Sequence, residues 1–372
     1  MKYYIITGEP SGDLHAANLV FELKKCDKNA EIRAWGGGRL IAEGVQIAKH
    51  IKDTAFMGLW SVLKNIRAIK SNLDYCKKDI INFKADALVL VDYPGFNLKI
   101  AQFAKEKGIP VFFYISPKVW AWNQKRVLKI KKVVDHLFCI LPFEVEFYKT
   151  WGMEVDYVGN PLMDAIGAHK ADKNFRRTHQ LSEKPIIALL PGSRKQEITK
   201  LLAVMLKMAD KFTDYQFVIA GAPSQDYQFY QQFISKENVK FISDRTYDLL
   251  SLSYAAIVTS GTATLETALF KVPEVVCYKG SWASYQIAKR IITLKYISLV
   301  NLIMDKEVVK ELIQEEFNSK KIKEELTKII QGKSRHLMID NYKQLETKLG
   351  GAGASAKTAT LIVSSLKKQK LF

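Results

Sequence analysis

Short runs of β-branched and aliphatic residues recur along the chain, separated by stretches in which apolar residues return every three or four positions. That alternation of short strands with helix-length segments predicts βα units around parallel sheets, an α/β protein. The first half supplies strands at 3–7 (YYIIT), 31–35 (EIRAW), 87–92 (ALVLVD), 111–116 (VFFYIS) and 136–141 (HLFCIL). The second supplies 186–191 (IIALLP), 215–220 (YQFVIA), 239–243 (VKFIS), 255–260 (AAIVTS) and 273–278 (PEVVCY). Two such sets predict two doubly wound domains, 1–165 and 185–345, joined by a linker at 166–184 where β-branched residues thin out. From 346 to 372 a small-residue hinge leads into a basic amphipathic stretch, which either packs back as a helix on the first domain or frays as a tail.

Composition narrows the classes. The 372 residues are 48% hydrophobic and 25% charged, ordinary for globular domains with sizeable cores. Lysine and arginine number 56 against 38 acidic residues, a net +18 that draws in nucleic acid, anionic lipid or phosphorylated substrates without choosing among them. Cys26, Cys76, Cys139 and Cys277 form no paired spacing, and the histidines at 15, 50, 136, 169, 179 and 336 show none either, so neither a metal site nor a disulfide framework is expected. The opening MKYYIITGEPSGD enters a strand with no apolar leader, and runs such as 87–91 and 111–115 are too short to span a bilayer. The expectation is a cytosolic protein whose membrane contact is peripheral.

Candidate chemistry gathers where strands end. Thr7-Gly8-Glu9-Pro10-Ser11-Gly12-Asp13 places glycines and two carboxylates in the first strand-to-helix turn, with a spacing that is not the dinucleotide fingerprint. Asp13 reads equally as a site residue or a first-turn acid. Asp92 closes an apolar strand just before Tyr93-Pro94-Gly95, a natural place for a general base or for an Asx-turn acid. Residues 114–126, YISPKVWAWNQKR, mix Ser116, Trp120 and Trp122 with Lys125 and Arg126, suiting phosphate beside apolar matter, single-stranded nucleic acid, or a solvated helix face. Gly192-Ser193-Arg194 leads into a helix whose first N–H groups suit an anion, with Arg194 able to clamp a diphosphate. Ser260-Gly261-Thr262 repeats that design, followed by Glu266, a ribose-binding or capping glutamate. Met57, Trp60 and Leu63 lie on an amphipathic stretch with Lys64, Arg67 and Lys70, the pattern of an interfacial helix or of a core-facing helix with a basic outer face.

Taken in order, GEPSGD (8–13), the strand ending at Asp92, YISPKVWAWNQKR (114–126), LPFE (141–144), GNPLMD (159–164), LPGSR (190–194), SGTATLE (260–266) and SLVNL (298–302) resemble the lipid A disaccharide synthase family. The resemblance covers nearly the whole chain. It implies a GT-B fold, two Rossmann-like domains facing a cleft, and an inverting glycosyltransferase needing no metal or other cofactor. The implied donor is UDP-2,3-diacylglucosamine and the acceptor 2,3-diacylglucosamine 1-phosphate, met at the anionic cytoplasmic face of the inner membrane. The product would be a β-1,6-linked disaccharide 1-phosphate. Carried over by motif, Asp92 is the leading base, with Glu9 and Arg194 beside it as catalytic residues. Gly192, Ser193, Arg194, Ser260, Gly261, Thr262, Glu266 and Asn301 hold the donor. Ser11, Asp13, Met57, Trp60, Leu63, Ser116, Trp120, Trp122, Lys125 and Arg126 face acceptor or membrane. The resemblance also makes a homodimer plausible. Two positions depart from it: Gly95 stands where relatives carry a second acid, and Ser61 where many carry a glutamate. Another UDP-sugar enzyme of the same fold, an epimerase or a cell-wall transferase, is the alternative enzyme. A nucleic-acid-binding protein would explain the charge but leave the two hydroxyl-rich turns without purpose.

Overall fold

The computed structural model describes residues 1–53, 66–222, 225–281, 285–286, 290 and 294–369. The segment holding Met57, Trp60 and Leu63 lies outside the described residues. Contacts divide the chain into two units, Met1–Asp164 with Gly351–Phe372, and Ala165–Gly350.

In the first unit the described residues form a seven-stranded sheet ordered β3-β2-β1-β4-β5-β6-β7. These are β1 (Lys2–Ile6), β2 (Glu31–Gly36), β3 (Gln46–His50), β4 (Ala87–Val91), β5 (Val111–Tyr114), β6 (His136–Cys139) and β7 (Asp156–Tyr157). Every pairing is parallel. All of ALVLV in β4 is buried, because helices cover both faces and no strand position can turn to water. Tyr3, Ile5, Val89 and Val91 pack on one face and Tyr4, Ile6, Leu88 and Leu90 on the other.

The last helix, Ala354–Gln369, belongs to this unit: Ala359, Ile362, Val363 and Leu366 enter the first of those cores. Its start is capped by Asp164 of the GNPLMD stretch, whose carboxylate accepts the N–H groups of Gly353, Ala354 (3.3 Å) and Ser355 (3.0 Å). A carboxylate there satisfies orphan donors and complements the helix dipole. Ser365 also meets His136 Nε2 at 2.8 Å.

The second unit's described residues form a six-stranded parallel sheet ordered β10-β9-β8-β11-β12-β13. Its strands are β8 (Ile186–Leu190), β9 (Gln216–Gly221), β10 (Val239–Ser243), β11 (Ser253–Thr259), β12 (Glu274–Tyr278) and β13 (Lys310–Ile313). Residues 166–184, polar enough to read as a linker, fold with this unit: Phe175 and Leu181 enter its core. Arg245 ties the segment down, reaching Asp172 at 3.0 Å and Asp248 at 2.7 Å.

One buried carboxyl stands apart. Glu274, at the start of β12, is fully buried, and burial pushes its pKa well above the ordinary glutamate range, with the Tyr342 hydroxyl pulling the other way. The folded chain therefore binds a proton that the unfolded chain releases. Stability should fall as pH rises from the ordinary glutamate range toward the folded-state value. We expect Glu274→Gln to unfold at a higher temperature than wild type, with a gain that grows between pH 5 and pH 9; calorimetry across that range checks it.

Candidate active site

In an open parallel sheet the loops at the strand carboxyl ends part where the strand order reverses, leaving a crevice for ligands. In the first unit that point lies between β1 and β4. A Cβ on Gly8 would sit 2.3 Å from Cγ of Tyr93, so glycine alone lets the turn after β4 close on the turn after β1. Asp92 and Tyr93 both hold a left-handed backbone at φ 49°, and Ile115, after β5, sits at φ 68°. Such conformations in residues with side chains persist only where the surroundings over-determine them. Asn97 does so here. Fully buried, it donates from Nδ2 to the carbonyls of Asp92 at 2.7 Å and Ile6 at 3.4 Å, tying together the ends of β4 and β1.

Burial is the largest influence on the Asp92 carboxyl and raises its pKa above the ordinary aspartate range, opposed by the charge of Lys118 and by the Tyr93 N–H. A carboxylate raised in this way accepts a proton more readily, which suits a general base. Lys118 escapes a reading of sequence because six cations crowd residues 118–132 and nothing marks the one that faces Asp92. Glu9 is half-buried in the neighbouring turn; its charge, after burial, is the second influence raising the Tyr93 phenol. Asp92, Tyr93, Glu9 and Lys118 thus gather at one edge.

Other expected residues of this unit serve the fold. Asp13 is 3% exposed and its carboxylate accepts the N–H groups of Gly37 (2.6 Å) and Arg39 (2.9 Å), fixing the turn after β2. Each of its oxygens thus accepts from backbone in that turn. Ser116 and Trp120 are likewise engaged within the protein. Buried Glu144 accepts from Ser116 Oγ (2.5 Å), Trp120 Nε1 (3.0 Å) and the N–H groups of Ile140 and Leu141, so Trp120, at 6% exposure, shares no surface patch with Trp122. Trp122 is 51% exposed with Arg126 over its ring at 5.2 Å, and Lys125 and Ser11 are exposed.

In the second unit the order reverses between β8 and β11. The turn after β8 carries Gly192 at φ 100°, and a Cβ there would lie 2.3 Å from Glu197 Oε2. Ser193 and Arg194 are exposed, and their N–H groups donate to the Glu197 carboxylate. After β11, Ser260 Oγ donates to the carbonyl of Ile297 at 3.1 Å, while Gly261 and Thr262 are exposed and a Cβ on Gly261 would meet no protein atom within 4 Å. Glu266 accepts from the Tyr247 hydroxyl at 2.9 Å, and burial raises its pKa despite that bond. Tyr247 gives no signal in sequence, since it lies on a different helix, Thr246–Leu252.

Asn301, expected on the donor side, is bonded within the protein. Fully buried, it donates to the Val309 carbonyl and to Glu311 Oε1, both at 2.9 Å, and accepts from the N–H groups of Val308 (2.7 Å) and Val309 (2.9 Å). Its amide has no capacity left for a donor substrate. Glu311 in turn accepts from the Ile297 and Ser298 N–H groups, so Asn301 acts by fixing the loop that receives Ser260. Among the described residues no group of three or more His, Cys, Asp or Glu is placed to hold a metal ion.

Known proteins resemble this chain in sequence and in fold. Residues 3–363 match the family model for lipid-A-disaccharide synthetase. The chain is 39% identical over 373 aligned residues to the lipid-A-disaccharide synthase of Syntrophus aciditrophicus, covering 98% of this chain and 97% of that one. It is 35% identical to the enzyme of that name from Myxococcus xanthus, with the same coverage. Among solved structures, the S. aureus MnaA–UDP complex superposes with a TM-score of 0.72 at 14% identity, covering 98% and 97% of the two chains. UDP-GlcNAc 2-epimerase from Neisseria meningitidis, bound to UDP-GlcNAc, does so at 0.69 and 15%, covering 99% and 100%. These structural likenesses establish the fold alone.

Because Asn301 is saturated inside the protein, Asn301→Ala should destabilise the second unit, by about 1–3 kcal/mol for the buried N–H groups it strands. Urea unfolding checks this, and UDP affinity should fall only in step with the loss of folded protein.

Proposed function

The chain belongs to the lipid-A-disaccharide synthetase family, and from that premise we propose how its two units divide the work of a glycosyl transfer. Its activity is glycosyl transfer in lipid A synthesis, from UDP-2,3-diacylglucosamine to 2,3-diacylglucosamine 1-phosphate. The observation that carries the division is Asp92, a desolvated carboxyl on a left-handed backbone at the carboxyl end of β4.

In this reading the first unit serves the acceptor. Asp92 takes the proton of the 6-hydroxyl as its oxygen attacks the anomeric carbon of the donor. The bond from that carbon to the diphosphate oxygen breaks, the configuration inverts, and UDP leaves. Glu9 and Lys118 flank the base: the Lys118 charge favours its ionised form, and Glu9 lies close enough for its charge to act on Tyr93 beside it.

The second unit serves the donor. The turn at Gly192–Arg194 and the turn at Ser260–Thr262 supply N–H and hydroxyl donors to the departing diphosphate, with Arg194 adding a cation. Glu266, oriented by Tyr247, receives the ribose hydroxyls. We infer that these groups carry the developing charge without a divalent metal. The epimerase alternative draws only on structural neighbours at 11–15% identity, which carry fold and no activity.

Both substrates bear acyl chains and phosphate, so the reaction belongs at a lipid surface, the cytoplasmic face of the inner membrane. No described helix is long and apolar enough to cross a membrane. Exposed Trp122 and Leu128 among Lys118, Lys125 and Lys129, with Arg67, Lys70 and Lys78 exposed on the helix Ile66–Phe83, supply the apolar and cationic contacts of peripheral docking.

Two measurements test these assignments. UDP release from the diacyl donor in detergent with EDTA should depend on the 1-phosphate acceptor, and Asp92→Ala should lower kcat by about 10²–10⁴; a fully active variant would move the base to Glu9. Trp122→Glu should lose co-sedimentation with phosphatidylglycerol vesicles while keeping its UDP affinity, and unchanged sedimentation would remove Trp122 from the docking surface.

A further inference from the structure

The turn assigned to the diphosphate is already engaged by an anion of the chain itself. Gly192 holds φ 100°, which bends the backbone so that the N–H groups of Ser193 and Arg194 converge on one carboxylate, that of Glu197. The carboxylate lies so close that a Cβ on Gly192 would stand 2.3 Å from Oε2 and 2.8 Å from Cδ. Glu197 sits in the first turn of the helix Lys195–Met205, and its own N–H donates to the Arg194 carbonyl at 2.9 Å, so the side chain reaches back over the turn from a fixed base. Arg194 is also its neighbouring cation. The groups expected to receive the leaving diphosphate are therefore the groups that Glu197 occupies.

We propose that Glu197 is an intramolecular stand-in for the donor diphosphate, occupying the Gly192–Arg194 turn in the ligand-free chain and exchanging with UDP on binding and release. The inference rests on the reading of that turn as the diphosphate site. Two anions cannot share the same pair of N–H donors in a partly desolvated turn, so each binding event exchanges one for the other. Arg194 then changes partner from carboxylate to diphosphate and is never left without a counter-charge. The exchange lowers the apparent affinity for UDP by the fraction of chains in which the turn is open. It also gives product release a driving group, because the carboxylate is tethered beside the turn as UDP departs.

The test uses the full chain. Calorimetric titration with UDP and with uridine is run on wild type, Glu197→Gln and Glu197→Ala, with Arg194→Ala as the reference for the turn. The expected result is UDP binding about tenfold tighter in both Glu197 variants, as for removal of a competitor holding two charge-assisted hydrogen bonds. Uridine, which has no phosphate, should bind all of them alike. UDP should also raise the melting temperature of the Glu197 variants by more than that of wild type, even if substitution lowers their ligand-free stability. Unchanged or weaker UDP binding in both variants, with Arg194→Ala still weakened, overturns the inference and leaves Glu197 a structural part of the turn. Unchanged UDP affinity in Arg194→Ala overturns the diphosphate reading first, and the inference with it.

Discussion

A parallel sheet covered by helices on both faces leaves charged groups one place to work, the loops at the strand carboxyl ends. Strands such as β4 and β8 are buried along their entire length, so a carboxylate within them would have to be desolvated without partners. In both units the polar chemistry collects where the strand order reverses, after β1 and β4 in one and after β8 and β11 in the other. Closing those loops takes particular residues. Gly8 admits the Tyr93 ring, and Asn97 joins the ends of two strands through one amide. The left-handed backbone of Asp92 follows from that closure, because the carbonyl Asn97 grips belongs to Asp92 itself.

Motif residues separate into two kinds by what their polar atoms already hold. Asp13, Glu144 and Asn301 are buried and committed to backbone or side-chain partners within the protein. Their removal would open the loops that carry the chemistry, so a motif can include them without their touching a ligand. Asp92 and Glu266 carry carboxyls raised by burial and face few protein donors. A raised carboxyl with unspent acceptor capacity is costly unless something else uses it.

Much of this was legible before any coordinates. Strands rich in Val, Ile and Leu announce themselves by composition, and the ends of those strands locate Asp92, Arg194 and Ser260 without further help. Gln46–His50, Asp156–Tyr157 and Lys310–Ile313, three of the four edge strands, escape the same reasoning, whereas the fourth, Val239–Ser243, keeps enough Val, Phe and Ile to be read. An edge strand is half-solvated and carries lysine, aspartate and glutamate where a central one carries valine. Trp120 and Trp122 are two residues apart in a short helical turn, and nothing in their spacing tells that one is clamped by Glu144 while the other meets Arg126 at the surface. Tyr247 and Lys118 act across space on Glu266 and Asp92, a relation that one-dimensional spacing does not contain.

Desolvation raises the carboxyls of Asp92, Glu144, Glu266 and Glu274 alike, yet the four environments differ in what answers it. Glu144 meets two side-chain donors and two backbone N–H groups, so its oxygens are spent on holding residues 116–141 together. Glu274 is fully buried beside Tyr342, and that burial raises its pKa well above the ordinary glutamate range. Glu266 has one phenol to orient it. Asp92 alone is answered by an exposed cation, Lys118, and by a backbone N–H in its own turn. Neutralisation by an exposed ammonium is weaker and more adjustable than by fixed buried donors, since the lysine can turn toward an incoming phosphate. Of the four, only Asp92 has an exposed cation as its opposing charge, an arrangement that fits the role of base proposed for it.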